Sequence, residues 1–206
     1  PKSGKVEGGQ STQISFIINS TNLSHRTYNA NLVVECNDPT NPSLTLPVTI
    51  NAQDTKGPDF NMVFFQNPYL SQYLRVMVFA HETLNEIPQL TVDSDSITMV
   101  LHDTSYHIYM GKHQLSESGD FTFSVTGNDS LGNIGSFERI LSVSNIQLGK
   151  PAMVSNISGN VAVKFPVNSF DEEVFVTIWE ERNTESSEEP FGRIYHLGPE
   201  QMPLNE

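Results

Sequence analysis

The alternation of apolar and polar residues between Tyr28 and Ile50 constrains the fold of this chain more than any other sequence feature. Two period-two runs are separated by a segment rich in Asn, Asp and Pro at 37–42. Such alternation buries one face of a strand and leaves the other in water, as in antiparallel sheets. The sequence therefore predicts an all-β fold of antiparallel β-sandwiches. The two apolar faces consist of Tyr28, Ala30, Leu32, Val34 and Cys36 in the first run and Leu44, Leu46, Val48 and Ile50 in the second.

The charge of the chain restricts its partners. The 206 residues include 24 Asp and Glu but only 11 Lys and Arg, which gives a formal charge of −13. Nucleic-acid phosphates and anionic membranes repel such a chain. No apolar run approaches the ~20 residues that a membrane-spanning helix requires. We therefore expect no nucleic-acid partner and no membrane insertion.

The remaining composition bears on location and on cysteine chemistry. Ser, Thr and Asn fill many outward positions, which is typical of secreted modules, so we expect an extracellular or cell-surface location. The chain has neither a start methionine nor a signal peptide, and we expect it to be a piece of a longer protein. Cys36 is the only cysteine, which excludes an intrachain disulfide. Its place on the apolar face of the first run predicts a buried free thiol.

Turn and linker signals divide the chain into three parts. Residues 1–53 are predicted to be the C-terminal part of a module, in which Gly8 and Gly9 mark a turn before a strand at Ile14–Ile18. A polar junction at 51–59 contains Gly57 and Pro58. Residues 54–148 are predicted to form a complete sandwich. Its predicted strands are Leu74–Ala80, Gln89–Val92, Ile97–Leu101, His107–Leu115, Phe121–Gly127 and Phe137–Val143.

The third part, residues 149–206, contains shorter strand patterns. Val161, Val163 and Phe165 alternate with other residues, and a second alternating run follows from Val174 to Ile178. A polar, acidic loop separates this run from the segment at 191–204. Two interpretations stay open here: a partial third β-sandwich, or a C-terminal extension of the second module.

Several short motifs resemble those of known β-sandwich repeats. The turn at Gly8 and Gly9, the "NDP" sequence at 37–39 and the "PV" pair at 47–48 are similar to immunoglobulin-like repeats. The sequence "GNDSLGN" at 127–133 is similar to a hairpin of bacterial immunoglobulin-like and fibronectin type III-like repeats. Residues 150–206 resemble the start of the sandwich domain of netrin receptors and ankyrins. The resemblance implies tandem immunoglobulin-like sandwiches of secreted multidomain proteins, which often lie downstream of subtilisin-like protease domains.

The motifs that usually carry catalysis are incomplete. The sequence HETLN at 81–85 places Asn85 where the zinc-protease helix needs its second histidine. No G-x-S-x-G nucleophile elbow occurs. Three further histidines are predicted to be exposed polar residues, although a strand pair could bring two of them together: His102, His107 and His113, with Asp103 among them. We therefore predict no catalytic residue, no bound cofactor and no metal site.

Calcium is the one cofactor alternative that the sequence leaves open. Asp93 and Asp95 imitate the start of an EF-hand loop, but the loop lacks its Gly at the sixth place and its Glu at the twelfth. Other carboxylates stand at turns or junctions, where calcium held between modules would find oxygen ligands. These are Asp54, Asp59, Asp120 and Asp129.

These observations favour a noncatalytic role. We expect accessory, spacer or binding modules of a secreted or cell-surface bacterial protein, and the resemblance implies that the parent is a subtilisin-like protease. The expected partners are neighbouring domains of the same parent or another surface protein. One alternative is an adhesin or structural subunit that assembles by pairing edge strands such as Leu44–Ile50. Another is a carbohydrate-binding module, although the only tryptophan, Trp179, is expected to pack against a neighbouring sheet or module.

Overall fold

The computed structural model describes residues 4–19, 23–181 and 193–200. These residues form strands, turns and extended segments without a helix, and the strands pair in antiparallel sheets. The all-β class predicted from the alternation is therefore confirmed. Within the same ranges, no helix has the length and hydropathy needed to cross a membrane. The chain divides into two compact units, Pro1–Thr55 and Lys56–Glu206.

The first unit contains an antiparallel hairpin of β1 (Arg26–Glu35) and β2 (Ser43–Ala52). Tyr28 lies opposite Ile50 and Leu32 lies opposite Leu46, so the two predicted apolar faces lie side by side on one face of the hairpin. In the turn, the Asp38 carboxylate accepts the backbone N–H of Thr40 at 2.8 Å. This Asx turn explains why the Asn- and Asp-rich segment reverses the chain.

Two predictions for the first unit are wrong. The segment Ile14–Ile18 forms no strand in the structure, because no neighbouring strand within residues 4–19 and 23–55 pairs with its backbone. Cys36 is exposed rather than buried. The reason is that the apolar face of the β1–β2 hairpin, on which Cys36 was predicted to lie, is itself exposed or half-buried along its length. The Cys36 thiol donates to the Asn41 carbonyl oxygen at 3.1 Å.

The second unit contains two larger sheets, both antiparallel. In strand order, one is β3-β4-β8-β7 and the other is β14-β13-β10-β9-β5-β6. A short hairpin, β11-β12, forms a separate two-stranded sheet. The strands are β3 (Phe60–Gln66), β4 (Tyr73–Ala80), β5 (Gln89–Val92), β6 (Asp95–Ile97), β7 (Met99–Asp103), β8 (Ile108–Gln114), β9 (Gly119–Asn128), β10 (Ile134–Ile146), β11 (Ala152–Ser155), β12 (Ala162–Phe165), β13 (Val174–Glu181) and β14 (Ile194–Gly198).

The predicted strand Ile97–Leu101 is in fact two strands in different sheets. The chain leaves the six-stranded sheet after Ile97 and enters the four-stranded sheet at Met99. Ile97 and Met99 are both buried, so the alternation continues across the break. Periodicity alone therefore does not reveal that the chain changes sheets between them.

The main core lies between the four-stranded and six-stranded sheets. Met62 and Val76 contribute from the first sheet, and Phe123 and Leu141 contribute from the second. The rings of Phe64 and Phe123 meet edge to face with centroids 4.8 Å apart. Each fully buried apolar side chain contributes about 1.5–3 kcal/mol relative to an exposed one. This apolar contact between the two sheets is therefore a large part of what stabilises the unit.

Strand β13 has two buried faces, which explains its nearly continuous apolar sequence. Val174, Val176 and Ile178 pack in a second apolar cluster with the β11–β12 hairpin. Trp179, on the opposite face, joins the main core and meets Phe64 edge to face at 5.7 Å. Trp179 thus packs against a neighbouring sheet, as predicted. Because β13 pairs with β10, and β14 with β13, the C-terminal strands continue the six-stranded sheet.

Side chains from the β3–β4 region hold β13 in place. Gln66 donates from its Nε2 to the Phe175 carbonyl oxygen and accepts from Thr177 Oγ1 at 2.9 Å. Ser71 Oγ accepts the Phe175 backbone N–H at 3.0 Å. Strand β14 pairs only with residues 177–181 of β13, so it does not reach Phe175. The side chains of Gln66 and Ser71 bond the backbone C=O and N–H of Phe175 in its place.

Candidate functional site

The structure distributes the histidines and does not assemble them into one site. His113 lies half-buried on β8, with its ring 5.7 Å from that of Phe123. Burial lowers the pKa of His113 below its ordinary value, against the opposing effect of Asp93 and Asp95. His81 is exposed, and its backbone N–H donates to the Asp59 carbonyl oxygen at 3.0 Å. His102 and His107 lie on an exposed strand and in a turn, respectively.

The aspartates considered for calcium differ in their surroundings. Asp54 belongs to the first unit, Asp59 pairs with Lys56, and Asp120 accepts a hydrogen bond from Ser142 at 2.5 Å. Asp59 and Asp120 join no group of three potential metal ligands within residues 4–19, 23–181 and 193–200. Asp129 is buried in the β9–β10 turn, within 4.8 Å of the Glu82 carboxylate.

The Asp129 carboxylate organises its own turn. It accepts the backbone N–H groups of Leu131 and Asn133, each at 2.8 Å, and the side-chain amide of Asn133 at 2.8 Å. The side-chain bond from Asn133 and the backbone bonds hold the pKa of Asp129 below its ordinary value. The carboxylate oxygens of Asp129 therefore stabilise the hairpin turn of the "DSLGN" sequence.

Asp93, the first residue of the segment that imitates an EF-hand loop, also has a structural role. Asp93 and Ser94 form the two-residue turn between β5 and β6, with positive φ angles of 46° and 86°. Positive φ at both central positions is the geometry that a tight hairpin needs. The Asp93 carboxylate accepts the backbone N–H of Thr122 at 2.8 Å, which ties the turn to β9.

A buried cation, Arg139, lies at a polar groove of about 1060 Å³ beside β10. Its guanidinium donates to the Met62 carbonyl oxygen and lies 4.6 Å from the centre of the Trp179 ring. His196 stacks on Trp179 at 3.8 Å and pairs with Glu181 at 2.8 Å. Burial lowers the pKa of Arg139, and the charge of Glu181 opposes this effect. These contacts occupy Arg139 within the fold, so we interpret it as a structural residue.

The best candidate for a binding site lies on the outer face of the four-stranded sheet. The strand register places Phe65 of β3 opposite Arg75 of β4, and Arg75 opposite Lys112 of β8. These three side chains form one row across the sheet, facing away from the main core. Tyr73 precedes Arg75 by two residues and therefore shares the same face. Together with the β3–β4 turn they line a cleft of about 540 Å³, which we call the aromatic–cation cleft.

The β3–β4 turn forms the other wall of this cleft. The Asn67 side chain accepts the backbone N–H groups of Tyr69 at 2.9 Å and Leu70 at 3.2 Å. The backbone N–H of Tyr73 then donates to the Leu70 carbonyl oxygen at 2.9 Å. These bonds fix the turn, and Tyr69 is left 82% exposed at its tip. Phe65 and Tyr73 are each 46% exposed, so the cleft presents three aromatic rings to solvent.

The electrostatics of the cleft differ from those of the whole chain. Its lining contains Arg75 and Lys112 but no Asp or Glu, although the chain carries a formal charge of −13. Neither cation forms an ion pair with any residue in the part of the chain that the structure describes. Like charges directly opposite each other on neighbouring strands are unfavourable. An anion bound at this row would relieve that repulsion.

Sequence reasoning missed this cleft because its residues come from three separate places. Phe65, Arg75 and Lys112 meet only through the register of β3, β4 and β8. The run FNMVFFQ at 60–66 is apolar on both faces, so it gives no clear alternation. The available signal was the aromatic content of 64–73, where Phe65 and two tyrosines surround a turn with Asn and Pro.

Comparison with protein-family models, curated proteins and solved structures finds no match for this chain.

Proposed function

We propose that this chain is a noncatalytic binding region of a secreted or cell-surface multidomain protein, built from immunoglobulin-like modules. The strand order of the second unit supports this proposal. Strands β3-β4-β8-β7 correspond to the A-B-E-D sheet of a constant-type immunoglobulin sandwich. Strands β5, β9 and β10 correspond to C, F and G, and β6 corresponds to an additional C′ strand. In this proposal β13 and β14 extend the G-strand edge.

The single observation that carries a binding role is the aromatic–cation cleft. Exposed aromatic residues and arginine are enriched where proteins bind partners. Here Phe65, Tyr69 and Tyr73 surround two cations on a rigid sheet. Binding residues on a rigid sheet and a tightly bonded turn lose little conformational entropy when a ligand binds. The cleft is therefore the part of the described surface best suited to hold a partner.

The roles of the titratable residues agree with a noncatalytic region. Asp93 and Asp129 organise hairpin turns, and Arg139 is engaged by the core. His113 packs on two phenylalanine rings. A structural role therefore accounts for the position of each of these side chains without a catalytic one. We propose that any catalytic activity, such as that of a subtilisin-like protease, belongs to another domain of the parent protein.

Adsorption of the purified chain to cell-envelope and polysaccharide preparations tests this proposal. We expect the wild-type chain to bind and the double variant Tyr69→Ala/Tyr73→Ala to bind much less. Tyr106→Ala is the matched control, because Tyr106 is 73% exposed and does not line the cleft. Equal adsorption of the wild type and the double variant would contradict the binding role. Covalent labelling of this chain by a fluorophosphonate serine-hydrolase probe would contradict the noncatalytic role.

A second candidate function is assembly through the first unit. The apolar face of the β1–β2 hairpin is poorly covered, with Leu44 57% and Leu46 42% exposed. Each strand of this two-stranded sheet also has one edge without a partner among the described residues. Exposed edges and apolar faces are templates for pairing with another chain. Edge pairing between copies would make the protein an adhesin or structural subunit.

Sedimentation velocity over a range of protein concentrations tests the assembly role. We expect larger species to grow with concentration in the wild type and to disappear in Leu46→Lys. Thr45→Lys is the matched control, because it adds the same charge to the opposite face of β2. A wild-type chain that stays monomeric at all concentrations excludes this second function.

A further inference from the structure

We propose that the aromatic–cation cleft binds an acidic polysaccharide whose sugars carry carboxylate groups. This inference rests on the proposed binding function and names the ligand class of the same site. In the proposed complex, a sugar ring stacks on an aromatic face, and its carboxylate lies between Arg75 and Lys112. The ligand thus supplies the negative charge that the cleft itself lacks.

Two neighbouring cations give the cleft its positive charge. Arg75 and Lys112 are direct register partners on β4 and β8, so their charges are held close together by the sheet. A planar guanidinium can donate two parallel hydrogen bonds to a carboxylate, and an ammonium group adds a compact point charge. In a protein with more than twice as many acidic as basic residues, a cleft with two cations and no acid selects anions.

The aromatic residues then distinguish a sugar from a small free anion. A small free anion cannot stack on the rings of Phe65, Tyr69 and Tyr73, whereas the C–H faces of a sugar ring pack on aromatic rings. The negative face of an aromatic ring attracts the partly positive hydrogens of these C–H groups. The tyrosine hydroxyl groups also remain able to hydrogen-bond the sugar hydroxyls. The ligand is therefore both carboxylated and able to stack.

The shape of the cleft agrees with one or a few sugar units. Its volume of about 540 Å³ falls within the range of about 300–1,000 Å³ that small-ligand clefts occupy. The cleft opens along the outer sheet face, past the 82% exposed Tyr69 at the turn. An open side lets a polymer enter and leave without threading its ends. A chain molecule can therefore bind through an internal sugar.

Isothermal titration with hexagalacturonate tests this inference directly. The matched ligand is the fully methyl-esterified hexamer, which keeps the sugar rings but loses the charge. Hexaglutamate, an acidic peptide, keeps the charge but offers no sugar ring. We expect the wild-type chain to bind hexagalacturonate at least tenfold more tightly than either of these two ligands, with affinity that falls as salt rises.

Two cleft variants and two controls locate the binding. Because a hydrogen bond to a charged group is worth roughly tenfold or more in affinity, we expect Arg75→Ala to weaken hexagalacturonate binding by about that factor. Tyr73→Ala is expected to weaken binding of the same ligand by a similar factor. Lys164→Ala and Tyr106→Ala remove an exposed cation and an exposed tyrosine elsewhere and should leave the affinity unchanged. Thermal melting confirms that each variant is folded.

The outcomes separate this inference from the proposed function. Tighter binding of the methyl ester or of hexaglutamate, lost in the cleft variants, would overturn the carboxylated sugar and keep the cleft as a binding site. Binding of hexagalacturonate that Arg75→Ala and Tyr73→Ala leave unchanged would overturn the location. If the wild-type chain binds none of the three ligands, the acidic polysaccharide is overturned, and the adsorption assay alone decides the binding function.

Discussion

Replacing Gln66 by alanine tests how the C-terminal strands are held to the sandwich. Gln66 donates to the carbonyl oxygens of Ser71 and Phe175 and accepts from the Thr177 hydroxyl. Three hydrogen bonds with a net worth of about 1 kcal/mol each predict a loss of about 3 kcal/mol in the free energy of unfolding. Such a loss is large compared with the 5–15 kcal/mol of an ordinary domain.

Urea unfolding followed by tryptophan fluorescence measures this effect at the relevant strand. Trp179 is the only tryptophan in the chain, and it is buried on β13, two residues after Thr177. Its fluorescence therefore reports directly on the docking of β13. We expect the Gln66→Ala transition to occur at a lower urea concentration than the wild-type transition.

Two comparisons make the result decisive. Gln114→Ala removes an exposed glutamine at the end of β8, and we expect it to change stability by less than about 0.5 kcal/mol. Thr177→Val, combined with Gln66→Ala, should lose less than the two single changes together, because they share one hydrogen bond. If Gln66→Ala is as stable as the wild type, the proposed attachment of β13 is wrong.

Three further predictions concern other parts of the second unit. Burial lowers the pKa of His113 in the folded chain below its ordinary value of 6.5. As the pH falls, His113 is therefore protonated first in the unfolded chain, and the free energy of unfolding should decrease between pH 6.5 and the lower pKa of the folded chain. His113→Phe keeps the ring and should lose this part of the pH dependence, as urea midpoints above and below that pH will show. Asp129→Ala should lower the urea midpoint, because the Asp129 carboxylate bonds the backbone of its own turn. Glu117→Ala, at an exposed residue, is the control and should leave the midpoint unchanged. Gly135→Ala would place a Cβ 1.9 Å from the Pro58 carbonyl oxygen and should lower the free energy of unfolding by about 3 kcal/mol. In the control Gly119→Ala, the new Cβ meets only an ordinary contact at 3.8 Å. Similar melting temperatures for the two variants would contradict the close approach of the backbones at Gly135 and Pro58.

The sequence predicted most accurately the strands in which apolar and polar residues alternate. Gln89–Val92 is β5 with the predicted bounds, and the runs around Leu32 and Leu46 pair in β1 and β2. Alternation is informative there because it places the apolar side chains on one face of each strand and most polar ones on the other. It is uninformative at β3, where both faces are apolar, and at Thr98, where the chain changes sheets without losing the alternation.

The errors in the first unit have a different origin. Ile14–Ile18 has a suitable alternation, but a strand also needs a neighbour for its backbone, and periodicity says nothing about the neighbour. Cys36 continues the alternation of β1 in sequence, but the face on which that alternation places it is not buried in the structure. Local pattern therefore identifies strand candidates, whereas pairing decides which candidates become strands.

The candidate site depends on pairing even more strongly. Arg75 and Lys112 are 37 positions apart in the chain, and only the β4–β8 register makes them neighbours. Phe65 joins them through the separate β3–β4 register. Trp179, the only tryptophan, is buried in the core and does not line the cleft. The sequence therefore contained the residues of the cleft but not their arrangement.

The most direct test of the aromatic–cation cleft as a site for acidic polysaccharide is an NMR titration of the isotope-labelled chain with hexagalacturonate. We expect the backbone amide signals of residues 65–75 and of Lys112 to shift progressively, while those of β1 and β2 stay in place. Shifts confined to the β1–β2 hairpin or to the groove beside Arg139, or no shifts at saturating ligand, would contradict the assignment of the aromatic–cation cleft as the site for this ligand.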